Sequence, residues 1–419
     1  MRVLVVGGGG REHALAWKIK QSPRCSRIFC APGNGGISDI AECVAINATD
    51  IQGMVRFAKQ NRIDMTIVAP DDPLALGMVD ALESCGLRAF GPRKNAAIIE
   101  SSKVFAKDLM RKYEIPTAEY KSFTDYSNAI AYLEKAQFPI VIKADGLALG
   151  KGVIIANDYT EASQAIDNIM NKKIFGNAGL SIIIESFITG SEVSVLAFTD
   201  GKTIVPMVSA KDHKRAYDGN MGPNTGGMGV FAPCSLYNPE VAKIALEKII
   251  EPTIKAMNSE GRPFSGILYF GLMLTLNGPL VLEYNARFGD PETQAILPLL
   301  QTDLLDVFDA VLSRDLAGIN IKWEDKASAC VVLASQGYPG EYKKGYEISG
   351  IDDAEVEKDV FIFHSGTTKV GEKYYTNGGR VIGVTAMDGN LEKAVAKAYR
   401  SAQKISFEGM HYRKDIGKV

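Results

Sequence analysis

The stretch "LVLEYNARFGDPETQ" (280–294) sets three side chains in a row that could do chemistry: Glu283, Asn285 and Arg287. If the chain is extended there, strand alternation turns all three to one face and sends Leu282 and Tyr284 to the other. A carboxylate and an amide oxygen two residues apart suit Mg²⁺, a hard cation that also takes water and phosphate oxygens. An arginine next in the row can grip a carboxylate with two parallel hydrogen bonds. Asp290 reads differently, as the N-cap of a following helix with Pro291 at its first position. No acid occurs from position 266 to 282, so a second protein carboxylate on the metal comes from elsewhere or is absent.

Two glycine-rich segments offer places for phosphate. In "VLVVGGGGREHALAW" (3–17) an apolar strand runs through four glycines into a helix, a turn whose free N–H groups and helix N-terminus suit an anion. The dinucleotide fingerprint fails in both registers, because Gly7 and Gly9 lead to Glu12, and Gly8 and Gly10 lead to His13. The second strand ends in "CAPGNGG", with no acid for a ribose. These failures argue against NAD and leave some other anionic group or a merely tight turn. The second segment, "IVIKADGLALGKGVIIA" (140–156), is not a P-loop: three residues separate Gly146 from Gly150, Lys151 precedes glycine, and strand signals flank it on both sides. It reads as a hairpin tip that folds over a triphosphate, with Lys143 meeting phosphate charge, or as an ordinary flexible hairpin.

Further polar groups fall at strand ends. Glu185 and Glu192 in "SIIIESFITGSEVSV" are either solvated or the two acceptors an adenosine pocket needs, for the adenine amino group and the ribose hydroxyls. "KDHKRAYDGNMGPNTGGMG" (211–229) is too polar for a core and too rich in glycine for a helix, so it is a loop that handles ligands or one that is disordered, and the strong flanking strands favour the former.

The elements that must position these groups form an α/β protein. Strand signals at 3–6, 27–30, 65–69 and 87–90 alternate with helical patterns at 12–21, 51–61 and 74–85, predicting an N-terminal doubly wound parallel sheet. Its ligand belongs at the carboxyl ends of the strands, where 7–10, 31–36 and 69–73 fall. A helix at 102–112 opens the next region, with strands at 140–143, 153–156, 181–184, 267–276 and 280–284. The tail adds strands at 329–334 and 381–385 and a helix at 391–405. The expected domains are therefore 1–101, 102–326 with a lid at about 119–191, and a small α+β domain at 327–419.

Charge and composition exclude several classes. With 47 Lys and Arg against 49 Asp and Glu, the chain has no field for nucleic acid or a membrane surface. No apolar run approaches the roughly 18 residues of a membrane span, and the start lacks a signal-peptide pattern. The six cysteines show no zinc spacing, and a disulfide framework is not expected in a chain of this size. We expect a cytoplasmic monomer with small-molecule partners only.

Taken together, "GGGGREHALAW", "APGN", "SKVFAKDLM", "KADGLALGKGV", "DHKR", "GPNTGGMG", "ARFGDPETQ" and the late "GGRVIGVTA" resemble, in order and over essentially the whole chain, the glycinamide ribonucleotide synthetases (phosphoribosylamine–glycine ligases) of the ATP-grasp superfamily. The resemblance implies central ATP-grasp domains and a reaction of ATP, glycine and 5-phosphoribosylamine through glycyl phosphate, in purine biosynthesis. Another ATP-grasp carboxylate–amine ligase or a purine-pathway carboxylase is the nearest rival. By family position, Lys103, Lys143, Gly150, Glu185, Phe187, Ile188 and Glu192 would bind ATP. Glu283 and Asn285 would hold Mg²⁺, with Mn²⁺ able to substitute. Asp212, Asn224, Thr225 and Arg287 would lie at glycine and the acyl phosphate, with Arg287, Asp212 and Lys143 carrying catalysis. Gly8, Gly9, Gly10, Asn34 and Asp71 would receive phosphoribosylamine. Two positions depart from the family pattern: Asp71 stands where glutamate is usual, one methylene shorter, and Asn220 replaces an acid.

Overall fold

The computed structural model describes residues 1–147 and 152–418. Gly150, expected at the tip of the lysine hairpin, lies outside the described residues. The first strand, Arg2–Gly7, is a Val- and Leu-rich run paired in parallel with Arg27–Pro32 on one side and Met65–Val68 on the other. Glu42–Cys43 and Ala89–Phe90 extend these to a five-stranded, all-parallel sheet. Helices Gly10–Lys20, Ile51–Gln60 and Met78–Ser84 belong to the same unit. Strand order reverses between Arg2–Gly7 and Met65–Val68, so the crevice at their carboxyl ends holds the glycine turn and Asp71.

Two details differ from the sequence reading. Glu42–Cys43 is a strand of only two exposed residues, with no hydrophobic pattern to reveal it. The helix expected at 74–85 is two helices, Asp71–Leu76 and Met78–Ser84, divided by Gly77 at φ 94°, a left-handed conformation that glycine adopts without cost to a side chain.

The lid is a four-stranded antiparallel sheet, in order Tyr120–Phe123, Ile182–Ser186, Ile140–Ala144 and Val153–Ala156. Its helices Tyr126–Leu133 and Tyr159–Ile166 start on aspartate N-caps, Asp125 and Asp158, and close a separate small core. A second antiparallel sheet runs Ile204–Pro206, Ser191–Thr199, Gly266–Thr275, Gly278–Asn285. Residues 187–190 join the two sheets.

The C-terminal region is not a detached module. Lys211–Asp212 and Gly229–Ala232 stand in one sheet with Ala327–Ser335, Arg380–Asp388 and Val360–His364. The boundary expected at 326 to 327 therefore falls within a sheet to which both sides contribute strands. The N-terminal sheet docks on this body too: Phe90 of its edge strand stacks on Phe308 of helix Leu304–Leu312, ring centroids 3.9 Å apart. All six cysteines are free thiols. Among the described residues no helix is long and apolar enough to cross a membrane.

Candidate active site

A cleft of about 1170 Å³ opens between the lid, the second sheet, the carboxyl edge of the N-terminal sheet and the C-terminal region. Lys103, Lys143, Glu185, Phe187, Ile188, Glu192, Asp212, Asn224, Thr225, Glu283, Asn285, Arg287, Gly9 and Asp71 all line it. Residues spread over more than 270 positions thus share one space.

Glu185 lies deep at one end, at the end of the lid strand Ile182–Ser186 and only 3% exposed. Lys143 Nζ is 3.0 Å from its Oε1 and Lys107 Nζ 3.2 Å from its Oε2. Lys143 also donates to Leu282 O at 3.0 Å. That carbonyl is available because the strand Gly278–Asn285 bulges: Gly271 faces Glu283 and Leu272 faces Val281, leaving Leu282 unpaired. The same bulge corrects the expectation for Leu282, which reaches the cleft rather than the opposite face. Two ammonium groups on one carboxylate leave excess positive charge in a desolvated place, which favours an incoming anion. Burial, opposed by Glu185, lowers the Lys107 ammonium to about 8. Burial lowers Lys103 as well, and its Nζ donates to Gly146 O at 2.8 Å. Lys107 was not anticipated, although its spacing of four from Lys103 on helix Lys103–Lys112 puts both on one face.

Glu283 and Asn285 line the cleft; Tyr284 borders it as well, but its ring is buried and its hydroxyl lies 2.9 Å from Thr253 Oγ1. Although burial alone would raise Glu283, Lys214, Lys143 and Lys103 hold it down at about 2. Lys214 Nζ lies 3.4 Å from Glu283 and 3.5 Å from Glu192; partial burial opposes it, but these carboxylates hold the ammonium well above its usual range. Among the described residues no group of three His, Cys, Asp or Glu side chains is arranged to hold a metal. Glu283 and Asn285 nonetheless present two hard oxygen donors, a set suited to Mg²⁺ when phosphate oxygens and water complete the shell.

Arg287 follows the strand, with Nη2 donating to Asn285 Oδ1 at 3.1 Å and lying 3.0 Å from Glu100 Oε1. Its Nε is buried without a hydrogen-bond partner among the described residues. Asp71 is held below its usual range: burial opposes this, but Arg287 and Arg11 outweigh it. The shorter side chain thus still addresses the two arginines in the cleft.

Asp212 is pushed well up, first by burial and then by the neighbouring Glu292. Glu292 accepts from Tyr269 OH at 3.1 Å and Ser194 Oγ at 3.3 Å. Thr225 supports the loop: its hydroxyl donates to Lys214 O at 2.8 Å and accepts from Gly227 N at 2.9 Å.

Three expectations change. Asp290 does not cap the helix Glu292–Ile296 with its side chain. Its carboxylate takes Gln294 Nε2 at 2.8 Å and meets Arg380 Nη2 at 3.4 Å, lining the cleft behind a cis Asp290–Pro291 bond. Asn34 has its amide committed to backbone: Nδ2 donates to Gly8 O at 2.9 Å and His364 O at 2.8 Å, while Oδ1 accepts from Ile37 N at 2.9 Å. It ties the glycine turn to the C-terminal region instead of lining the cleft. The turn itself is partly filled, because Glu12 Oε2 accepts from Gly9 N at 2.6 Å. Gly8 and Gly10 do not line the cleft: a Cβ on Gly8 would stand 2.4 Å from Gly33 O, and one on Gly10 2.4 Å from both Gln294 Nε2 and Ser365 Oγ. Arg380 was missed as well. It donates to Gly226 O at 2.6 Å and Asp290 O at 2.7 Å, pinning the glycine-rich loop.

A lid sheet and a second antiparallel sheet gripping a lysine- and carboxylate-lined cleft define an ATP-grasp enzyme. The comparisons with known proteins agree and go further. The profile of the phosphoribosylglycinamide synthetase N domain matches residues 1–100, that of its ATP-grasp (A) domain residues 101–293, and that of its C domain residues 328–419. The chain belongs to the phosphoribosylglycinamide synthetase family. It is 51% identical to the phosphoribosylamine–glycine ligase of Caldanaerobacter subterraneus, covering 99% of each chain. It is 49% identical to that of Halalkalibacterium halodurans, covering 100% of this chain and 96% of the relative. The crystal structure of the Thermotoga maritima phosphoribosylamine–glycine ligase superposes with a TM-score of 0.85 at 31% identity, covering 99% of this chain and 100% of that one.

Proposed function

We propose that this protein joins glycine to 5-phosphoribosylamine at the expense of ATP, giving glycinamide ribonucleotide, ADP and phosphate in purine biosynthesis. A carboxylate oxygen of glycine attacks the γ-phosphorus of ATP, ADP leaves, and glycyl phosphate forms. The amine nitrogen of phosphoribosylamine then attacks the acyl carbon, the carbon–oxygen bond to phosphate breaks, and the nitrogen gives up a proton. No protein nucleophile is needed, so positioning and charge neutralisation carry the rate.

The observation that carries this reading is the gathering of Glu283, Asn285, Arg287, Lys143 and Glu185 with Gly9 and Asp71 around one cleft. Lys143, Lys103 and Lys107 neutralise phosphate charge, and Glu185 with the backbone of Phe187 and Ile188 receives adenine, leaving Glu192 for the ribose. Mg²⁺, with Mn²⁺ as a substitute, would be held by Glu283 and Asn285, where it screens the phosphates as a Lewis acid. Arg287 orients the glycine carboxylate, and the facing pair Asp212 and Glu292 suits its ammonium group. Asn224 and Thr225 shape the loop at the acyl phosphate. Gly9, Asp71 and Arg11 face the sugar phosphate of the second substrate.

The test is ADP release in the presence of Mg²⁺. Glycine plus phosphoribosylamine should stimulate it strongly. Release equally fast without glycine, or with bicarbonate in its place, would overturn the reading in favour of a carboxylase.

A further inference from the structure

The glycine-rich loop contains a hairpin, Arg215–Tyr217 with Met221–Asn224, that pairs with no other strand among the described residues. Hydrophobic packing does little to hold it, since Tyr217 and Met221 are 51% and 65% exposed. The hairpin instead hangs on the last residues of the chain. His411 Nε2 is 3.0 Å from Ala216 O, and Arg413 Nη1 donates to Arg215 O at 3.1 Å. Lys414 N donates to Asp218 Oδ1 at 2.7 Å, and Asp415 Oδ2 accepts from Gly219 N at 2.9 Å.

The tail is itself well anchored. Met410–His411 pairs with the strand Ala327–Ser335. Tyr399 OH donates to Arg413 O at 2.8 Å and accepts from Ile416 N at 2.9 Å. Arg413 is 1% exposed and holds Asp415 with Nε and Nη2, each at 2.7 Å. A buried, two-toothed pair of this kind fixes orientation as well as distance. Asn220, Asn224, Arg413 and Asp415 all border the cleft.

We propose that residues 411–416 form a strap that positions the hairpin over the cleft, with Arg413 as its positioning residue. Asn224 and the neighbouring Lys214 then reach their places only while the C-terminal segment is docked. Arg413 acts through the Arg215 carbonyl and the Asp415 carboxylate, and it need touch neither ATP nor glycine. The activity part of the test rests on the ligase reading; the hairpin's order does not.

Full-length R413A and D218A are compared with the parent protein in turnover, KM for each substrate, thermal midpoint and tryptic cleavage after Arg215. R413A should lower kcat about 10²-fold, leave KM for ATP within about two-fold, and speed cleavage after Arg215. Millimolar guanidinium should restore part of that kcat, which mere loss of stability would not allow. D218A, on an exposed residue, removes the acceptor for Lys414 N; it should keep the thermal midpoint, lower kcat by about three-fold and also speed cleavage. Unchanged cleavage and turnover in both variants, or a kcat loss in R413A that tracks its thermal midpoint and ignores guanidinium, would overturn the strap. A parent protein without glycine-dependent ADP release would instead overturn the ligase reading, while the cleavage assay still judged the strap.

Discussion

The two ends of the cleft balance their charges in different ways. At the ATP end the partners come from one stretch of chain: Lys107 and Lys143 share Glu185, and Lys214 meets Glu283 and Glu192. At the other end the partners cross the seams between regions. Arg287 pairs with Glu100, Arg11 donates to Phe288 O at 3.0 Å, and Arg380 meets Asp290. The Glu185 pocket with Lys107 and Lys143 therefore exists as soon as the central sheets fold. The other end exists only when the N-terminal, central and C-terminal regions are docked.

Removing a charge from the ATP end should have the largest effect. Glu283→Gln takes a carboxylate from between three lysines and leaves the metal a neutral amide oxygen in place of a charged donor, and kcat should fall by about 10³-fold or more. A fold judged intact by circular dichroism, with near-normal turnover, would contradict the assignment. Arg287→Lys keeps the charge but loses the planar fork, so KM for glycine should rise by about 10²-fold with ATP binding unchanged. Glu100→Gln reaches the site only across a seam. It should raise KM for glycine by about ten-fold and leave the ATP dissociation constant untouched; a matching loss of ATP affinity would show that the two ends are not separable.

The smallest effect is on stability, again at a seam. His364 N donates to His13 Nδ1 at 2.8 Å, joining the helix Gly10–Lys20 to the strand Val360–His364. Burial, helped by the charge of His364, drives His13 down to about 3, and burial drives His364 to about 4. The unfolded chain protonates both near 6.5, so between these values it binds more protons than the native state. Stability should thus fall as pH drops below about 6.5, by about 1 kcal/mol per pH unit for each histidine. A thermal midpoint that stays flat from pH 7 to 5 would refute this.

The same division explains what could be read from the sequence. The row Glu283, Asn285, Arg287 was legible because strand periodicity alone sets its faces, and the long apolar strands such as Gly266–Thr275 were found for the same reason. The bulge that frees Leu282 leaves no mark in the residue pattern. Glu100, Glu292 and Arg380 were missed because each acts through partners distant in the chain, such as Arg287 for Glu100, and no local spacing encodes that. Asp290 was misread because an acid before proline looks like a cap until its long-range partner Arg380 is seen. At the turn where the dinucleotide fingerprint breaks, the Glu12 carboxylate already occupies the N–H of Gly9.

The sheet shared by Lys211–Asp212, Gly229–Ala232 and Ala327–Ser335 has a consequence for how the polypeptide could be divided. Between them lies an exposed turn at Arg314, in the left-handed region at φ 59°. A nick there would not separate two autonomous bodies, since Gly229–Ala232 of one fragment pairs with Ala327–Ser335 of the other in a continuous sheet. Co-expressed as separate halves, the pieces should find one another by completing that sheet. Covalent continuity at this point is dispensable in a way that the seam is not.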